Sequence, residues 1–284
     1  FMPELPEVET TVQGLRKEVL GLQVLDVWTD LKTRDTRKGD TIANPKYFKT
    51  FKKEVAGRKI ISVLRRAKNI LINLSQGKTI LVHLKMTGYL FVGKNPNIKF
   101  KHVVFTLSGK KFLVLSDLRK FGKMTLLDTE TAQASKHLSS LGPEPLDKNF
   151  TLLEFKERLL KKPNGKIKTV LLDQGVVAGI GNIYSDEILW RAGIHPERKI
   201  SEITSSEFKK IFQATRETLK RGIAFGGDSM SDYLNIYGQP GKFQLHHQAY
   251  RRTGEKCRKP GCRGVIIRKI INNRSAHYCS RHQK

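Results

Sequence analysis

Acidic side chains are scarce in this chain. Its 284 residues hold 26 Asp and Glu against 53 Lys and Arg, a formal net charge of +27. A surplus of that size points to a polyanionic partner, because each phosphate neutralised by a cation releases a counterion. Nucleic acid is the first candidate, although ribosome-associated proteins and anionic-membrane binders share the signal. Long apolar runs are also missing, since none approaches the ~18–20 residues of a membrane span. The opening "FMPELPEVET" has neither the basic start nor the apolar stretch of a signal peptide, so the expected location is the cytosol. Cysteine is rarer still, with three in all. An odd number without a secretory signal argues against a disulfide framework and toward metal.

All three cysteines fall near the end, as Cys257-x4-Cys262-x16-Cys279-x2-His282. Two close ligand pairs separated by a hairpin's length suit one closed, tetrahedral, structural Zn2+. His277 is also near, and the x2 spacing favours His282. Residues 251–284 carry eleven Lys or Arg and one acid, Glu255, so zinc would hold a small basic β-hairpin folded. Arg274, beside the turn in "NNRSA", either projects toward a ligand or is an ordinary solvated arginine.

Along the chain, Val8, Val12, Leu15 and Val19 have helical spacing, and Gly21 ends the run. From about Leu22 to Asp128 the pattern becomes short β-branched runs such as "KTILVHLKM", with turn candidates "SQGK" and "LSGK", which predicts mainly antiparallel sheet. The Pro-, Gly- and Ser-rich "LSSLGPEPLDKNF" reads as a linker. Helical periods follow, opened by Thr151 and Glu154 as a capping box before "LLEFKERLL". The segments "KIKTVLLDQ", "NIYSDEILWRAG" and "SSEFKKIFQATRETLKRGI" are further helix candidates. A glycine-rich stretch after residue 222 is too long and irregular for an ordinary connection.

The opening peptide allows two readings. Pro3 and Pro6 can simply start a helix whose dipole Glu4, Glu7 and Glu9 complement. Alternatively, removal of the residues before Pro3 would expose a secondary amine, partly unprotonated near neutrality, that attacks an aldehyde or anomeric carbon to give an iminium. Glu4 would then move protons.

"MPELPEVETTVQGLR" resembles the start of bacterial formamidopyrimidine-DNA glycosylases. The similarity continues through "RRAKNILINL", "VHLKMTGYL", "SDLRKFG", "LGPEPL", "GIGNIYSDEILWRAGIHP", "GGDSMSDYLN" and "GQPGKFQ" to the terminal Cys/His cluster. Endonuclease-eight-like relatives start with "PEGPE", so "PELPEVET" favours the oxidised-purine branch.

The resemblance implies an α+β fold with four parts: an N-terminal β-sandwich with its helix (1–132), a linker (133–150), a helical domain with helix–two-turn–helix and a lesion-capping loop (151–248), and a zinc β-hairpin (249–284). It implies a monomeric DNA glycosylase and AP lyase of base excision repair that binds damaged double-stranded DNA, with no nucleotide cofactor and no membrane. Pro3 would attack the sugar C1′ and Glu4 would protonate the ring oxygen. Lys68 would lie against the target phosphate and act in the first elimination, and Arg274 would grip phosphates and assist the second. His83, Asn182 and Tyr250 match phosphate contacts, with Lys162 standing where the family carries lysines near Pro163. Met86, Arg119 and Phe121 match a triad that fills the space left by the flipped base, and Arg119 would read the orphaned cytosine. Lys120 and Leu118 depart from the usual Arg and Pro, as do the wider Cys257-x4-Cys262 pair and His282 in place of cysteine. Phe1 reads as an extraneous residue ahead of the working N-terminus. The rival readings are an oxidised-pyrimidine glycosylase and a non-catalytic zinc DNA-binding protein.

Overall fold

The computed structural model describes residues 2–33, 40–230 and 232–284. Phe1, and Ser231 of the glycine-rich stretch, therefore lie outside the described residues. The chain forms two compact units, one of residues 1–139 with 226–241 and the other of 140–225 with 242–284.

The first unit opens with helix α1 (Leu5–Glu18), with Glu4 as its extended N-cap and Pro6 in its first turn. Leu5, Val8, Val12 and Leu15 recur on one face and are fully buried. Beneath them lie two four-stranded antiparallel sheets. One takes β1 (Val24–Thr29), β6 (Lys101–Leu107), β7 (Lys111–Asp117) and β5 (Gly88–Gly93) in that order. The other takes β2 (Ile60–Arg66), β3 (Asn69–Leu74), β4 (Lys78–His83) and β8 (Lys123–Asp128). Val27, Leu90, Phe105 and Leu115 of the first sheet meet Val63, Ile72, Ile80 and Met124 of the second in one core, which makes the unit a β-sandwich.

Two features depart from the sequence reading. The run read as sheet contains a helix, α2 (Pro45–Val55), whose Asn44 side chain accepts the Lys46 and Tyr47 N–H groups and whose Phe51 and Val55 are buried. The glycine-rich stretch, expected with the helical domain, packs into the first unit instead. Its Ile236 is 1% exposed within the sandwich core, and its carbonyl accepts the Val92 N–H at 2.8 Å. Gly14 of α1 makes room for it, since a Cβ there would stand 2.7 Å from Ile236 Cγ1.

The second unit holds α3 (Leu152–Leu160), α4 (Ile167–Leu172), α5 (Asn182–Ala192) and α6 (Ser205–Ala224), then a hairpin of β9 (Ile266–Ile271) and β10 (Arg274–Cys279). Thr151 caps α3 by accepting the Glu154 N–H, but the Glu154 carboxylate turns to Arg158 instead of closing the box. The turns between α4 and α5 are stitched by Gln174, whose amide donates to the Leu172 and Ile180 carbonyls and accepts the Gly179 N–H.

Candidate functional site

In the opening peptide, Pro3 is buried and Glu4 is 2% exposed. With Met2 attached, the Pro3 nitrogen is an amide. Glu7, read from sequence only as a helix-dipole partner, has a larger part. It is fully buried, its Oε2 accepts the Glu4 N–H at 2.8 Å, and its Oε1 accepts the Asp228 N–H at 2.7 Å. The Tyr233 hydroxyl donates to the Glu7 carbonyl at 3.0 Å. One carboxylate thus ties the segment carrying Pro3 and Glu4 to the glycine-rich stretch. Gly227 makes the approach possible: its φ is +85°, and a Cβ would lie 3.0 Å from Glu7 Cγ.

Lys68 is the second residue of the two-residue loop between β2 and β3, where Arg66 pairs with Asn69. The first, Ala67, has φ +53°, a left-handed conformation that is costly for a residue with a Cβ and that concentrates at functional sites. His83 ends β4 opposite both Asn69 and Lys123. Burial, followed by the charges of Lys85, Lys68 and Lys123, lowers its pKa to about 3. Its Nδ1 accepts the Lys85 N–H at 3.1 Å, which leaves the proton on Nε2. The result is a neutral N–H donor that feels three ammonium groups, an arrangement suited to a phosphate.

The expected wedge residues meet. Arg119 Nη1 lies 3.0 Å from Met86 Sδ, and its guanidinium carbon stands 4.6 Å from the Phe121 ring centroid. Phe121 is 48% exposed, which the fold does not require of an aromatic. Asp117, fully buried, builds the loop beneath them: Oδ1 accepts the Arg119 N–H at 3.1 Å and the Thr87 hydroxyl, and Oδ2 accepts the Gly122 N–H at 2.6 Å. Sequence reasoning gave Asp117, the acid of "SDLRKFG", no part of its own. Its position between a strand and a tight loop was the available signal.

In the second unit, Asn182 is the first residue of α5, where the helix dipole favours an anion. Its Oδ1 is buried with no hydrogen-bond partner among the described residues. Tyr250 is held through its backbone, because Glu187 of α5 accepts the N–H groups of Gln248, Ala249 and Tyr250, each at 2.8 Å. Burial pushes the Glu187 carboxyl up, against the pull of those donors. Lys162 pairs with Asp173. Arg274 is exposed and follows a tight turn, with Asn272 at φ +45° and Asn273 at φ +61°, the conformation a two-residue hairpin loop demands.

The ligand atoms of Cys257, Cys262, Cys279 and His282 lie within 4.8 Å of one another, so the four side chains could hold a metal ion. Cys257 Sγ is 3.3 Å from His282 Nδ1, and Cys262 Sγ is 3.5 Å from Cys279 Sγ. Such separations match the edges of a tetrahedron with bonds of about 2.0–2.3 Å. Backbone N–H groups of Lys259, Gly264 and Arg281 point at the three sulfurs, and the Gly264 donor leads in holding the Cys262 thiol below its usual range. His282 donates Nε2–H to the Trp190 carbonyl at 3.0 Å, which leaves Nδ1 as the ligand atom. His277 turns away and bonds Asp186, which settles the choice between the two histidines.

Residues 2–124 match the family model of the Formamidopyrimidine-DNA glycosylase N-terminal domain, and residues 141–233 match that of the Formamidopyrimidine-DNA glycosylase H2TH domain. A formamidopyrimidine-DNA glycosylase of Pelotomaculum thermopropionicum is 40% identical over 100% of this chain and 99% of its own. One from Herpetosiphon aurantiacus is also 40% identical, covering 98% of each. Among solved structures, Lactococcus lactis Fpg in complex with DNA containing an abasic site superposes with a TM-score of 0.87 at 31% identity, over 99% of both chains. An L. lactis FPG mutant bound to Fapy-dG-containing DNA gives 0.88 at 32% identity, over 99% of this chain and 100% of that one.

Proposed function

The chain belongs to the formamidopyrimidine-DNA glycosylase family, and from that membership we propose that it excises oxidised purines, 8-oxoguanine and formamidopyrimidines, from duplex DNA and then cleaves the abasic strand. The observation that carries the reading is the cluster in which half-buried Met86 meets the exposed Arg119 and Phe121 of a loop braced by Asp117. Removing a base from the stack costs a few kcal/mol, and planar or apolar side chains entering the gap offset that cost.

The working enzyme begins at Pro3, whose secondary amine attacks C1′ as the base departs with the glycosidic electron pair and a proton. Glu4 protonates the ring oxygen and the sugar opens to an iminium. Loss of the C2′ proton expels the 3′-phosphate. Loss of the C4′ proton then breaks the C5′–O bond and expels the 5′-phosphate, and water releases the amine. Lys68 and neutral His83 hold the target phosphate, Asn182, Tyr250 and Lys162 bind backbone, and Arg274 stabilises the departing phosphate. The Cys257/Cys262/Cys279/His282 set suits zinc, which would fix the hairpin and take no part in the reaction.

Borohydride trapping on an abasic duplex is the test. The expected result is a covalent adduct with protein whose mass begins at Pro3, and an adduct yield more than tenfold lower for Pro3→Gly. Equal trapping by Pro3→Gly would sink the proline assignment. Faster turnover of thymine-glycol than of 8-oxoguanine paired with cytosine would move the enzyme to the oxidised-pyrimidine branch.

A further inference from the structure

A buried polar chain crosses the second unit without a part in the reaction above. Lys168 on α4 is 0% exposed, Asp186 on α5 is 1% and His277 on β10 is 5%. The Lys168 ammonium pairs with Asp186 Oδ1 and donates to Ser185 Oγ at 3.2 Å. Asp186 Oδ2 accepts both the backbone N–H and the ring Nδ1–H of His277, each at 2.9 Å.

A buried ion pair is a poor source of stability, because desolvation offsets most of its attraction, but its directional bonds fix geometry. Here they fix the return strand of the hairpin to α5, the helix that starts at Asn182. Arg274 stands three residues up that strand from His277, at the exposed tip, while Cys279 holds the other end at the Cys/His cluster. Five residues of strand span about 17 Å, so a hinge of ~10° at Cys279 would carry the tip about 3 Å. A misplacement of about 1 Å is enough to cost orders of magnitude in rate.

We propose that Asp186 is a positioning residue for Arg274, clamping the hairpin through His277 so that the guanidinium meets the 5′-phosphate as it departs. The proposal rests on Arg274 assisting the second elimination. In that step the C4′ proton leaves, its electron pair joins the conjugated iminium, and the C5′–O bond breaks with the phosphate taking the bonding pair.

The experiment is single-turnover cleavage of an abasic duplex, separating strands that end in the unsaturated aldehyde of the first elimination from those that end in 3′-phosphate after the second. Asp186→Asn, His277→Phe and Arg274→Ala are compared with wild type, each checked for one bound zinc and wild-type circular dichroism. The ratio of second to first product should fall about tenfold in Asp186→Asn and about threefold in His277→Phe. His277→Phe keeps the ring and the Lys168 pair, so it decides the matter if Asp186→Asn, with Lys168 left uncompensated, fails to fold. Wild-type ratios in folded, zinc-loaded variants, alongside a collapsed ratio in Arg274→Ala, would overturn the clamp. A wild-type ratio in Arg274→Ala would remove the role of Arg274 itself, and the clamp with it.

Discussion

His83 shows how one residue's surroundings select its chemistry. Burial, helped by three ammonium groups, keeps the imidazole neutral, and the Lys85 N–H fixes which nitrogen carries the proton. The same shift has a consequence for stability. Between about pH 3 and the ordinary value of 6.5 the unfolded chain binds a proton that the native one refuses. Stability must therefore rise with pH through that window and be lost on acidification, by at most about 1.4 kcal/mol per pH unit from this group. Urea titrations at pH 7.5 and pH 5.0 should show wild type losing more stability between the two than His83→Gln. Parallel losses would mean that His83 is not held neutral.

Among elements, helices were the most legible: α1 follows from apolar spacing and α3 from its cap, α4, α5 and α6 fall within the segments read as helical, and the strands follow from alternation. Helix α2 was not, because its Asn44–Pro45 start lies inside a region dominated by β-branched runs, and its aromatic spacing speaks for one face only after the sandwich exists to cover it. The less visible part of the site is its bracing. Glu7, Asp117, Asp186 and Glu187 are all buried; Glu7, Asp186 and Glu187 each join two segments through backbone N–H groups, and Asp117 gathers those of its own loop. Sequence marks an acid as solvated or dipole-related, since its partners are main-chain donors whose positions only the fold supplies. The Cys/His hairpin was readable because ligand spacing encodes its geometry. With so little apolar interior, in which Ile266 and Ala249 pack against the ligands, the hairpin should lose order when the metal is removed. Chelation should raise hydrogen exchange across 257–282 to unprotected rates while the amides of the sandwich strands keep their protection. Protection retained in the hairpin would show that it folds without metal.

At the scale of the whole molecule, part of the cationic surplus of +27 is answered locally, because several surface acids are paired with neighbouring cations. Hydrogen bonds from Lys166 and Lys269 bring Glu197 to about 2, and Arg198 brings Glu207 to about 2. Lys111 likewise engages Glu18 at 2.8 Å. The cations proposed to sit on phosphates are the ones that displace counterions from DNA. Each such phosphate contact contributes a slope of about −0.9 to log K against log salt on duplex DNA. Removing Lys68 or Arg274 should therefore make the slope shallower by about one, whereas Lys111→Ala should leave it within about half of that, since its charge is answered within the protein. Fluorescence anisotropy on a duplex bearing an uncleavable abasic analogue, titrated with KCl from about 50 to 200 mM, separates the two classes. Equal changes for Lys111→Ala and Lys68→Ala would mean that the molecule attracts DNA through its bulk charge alone, with no particular cation seated on a phosphate.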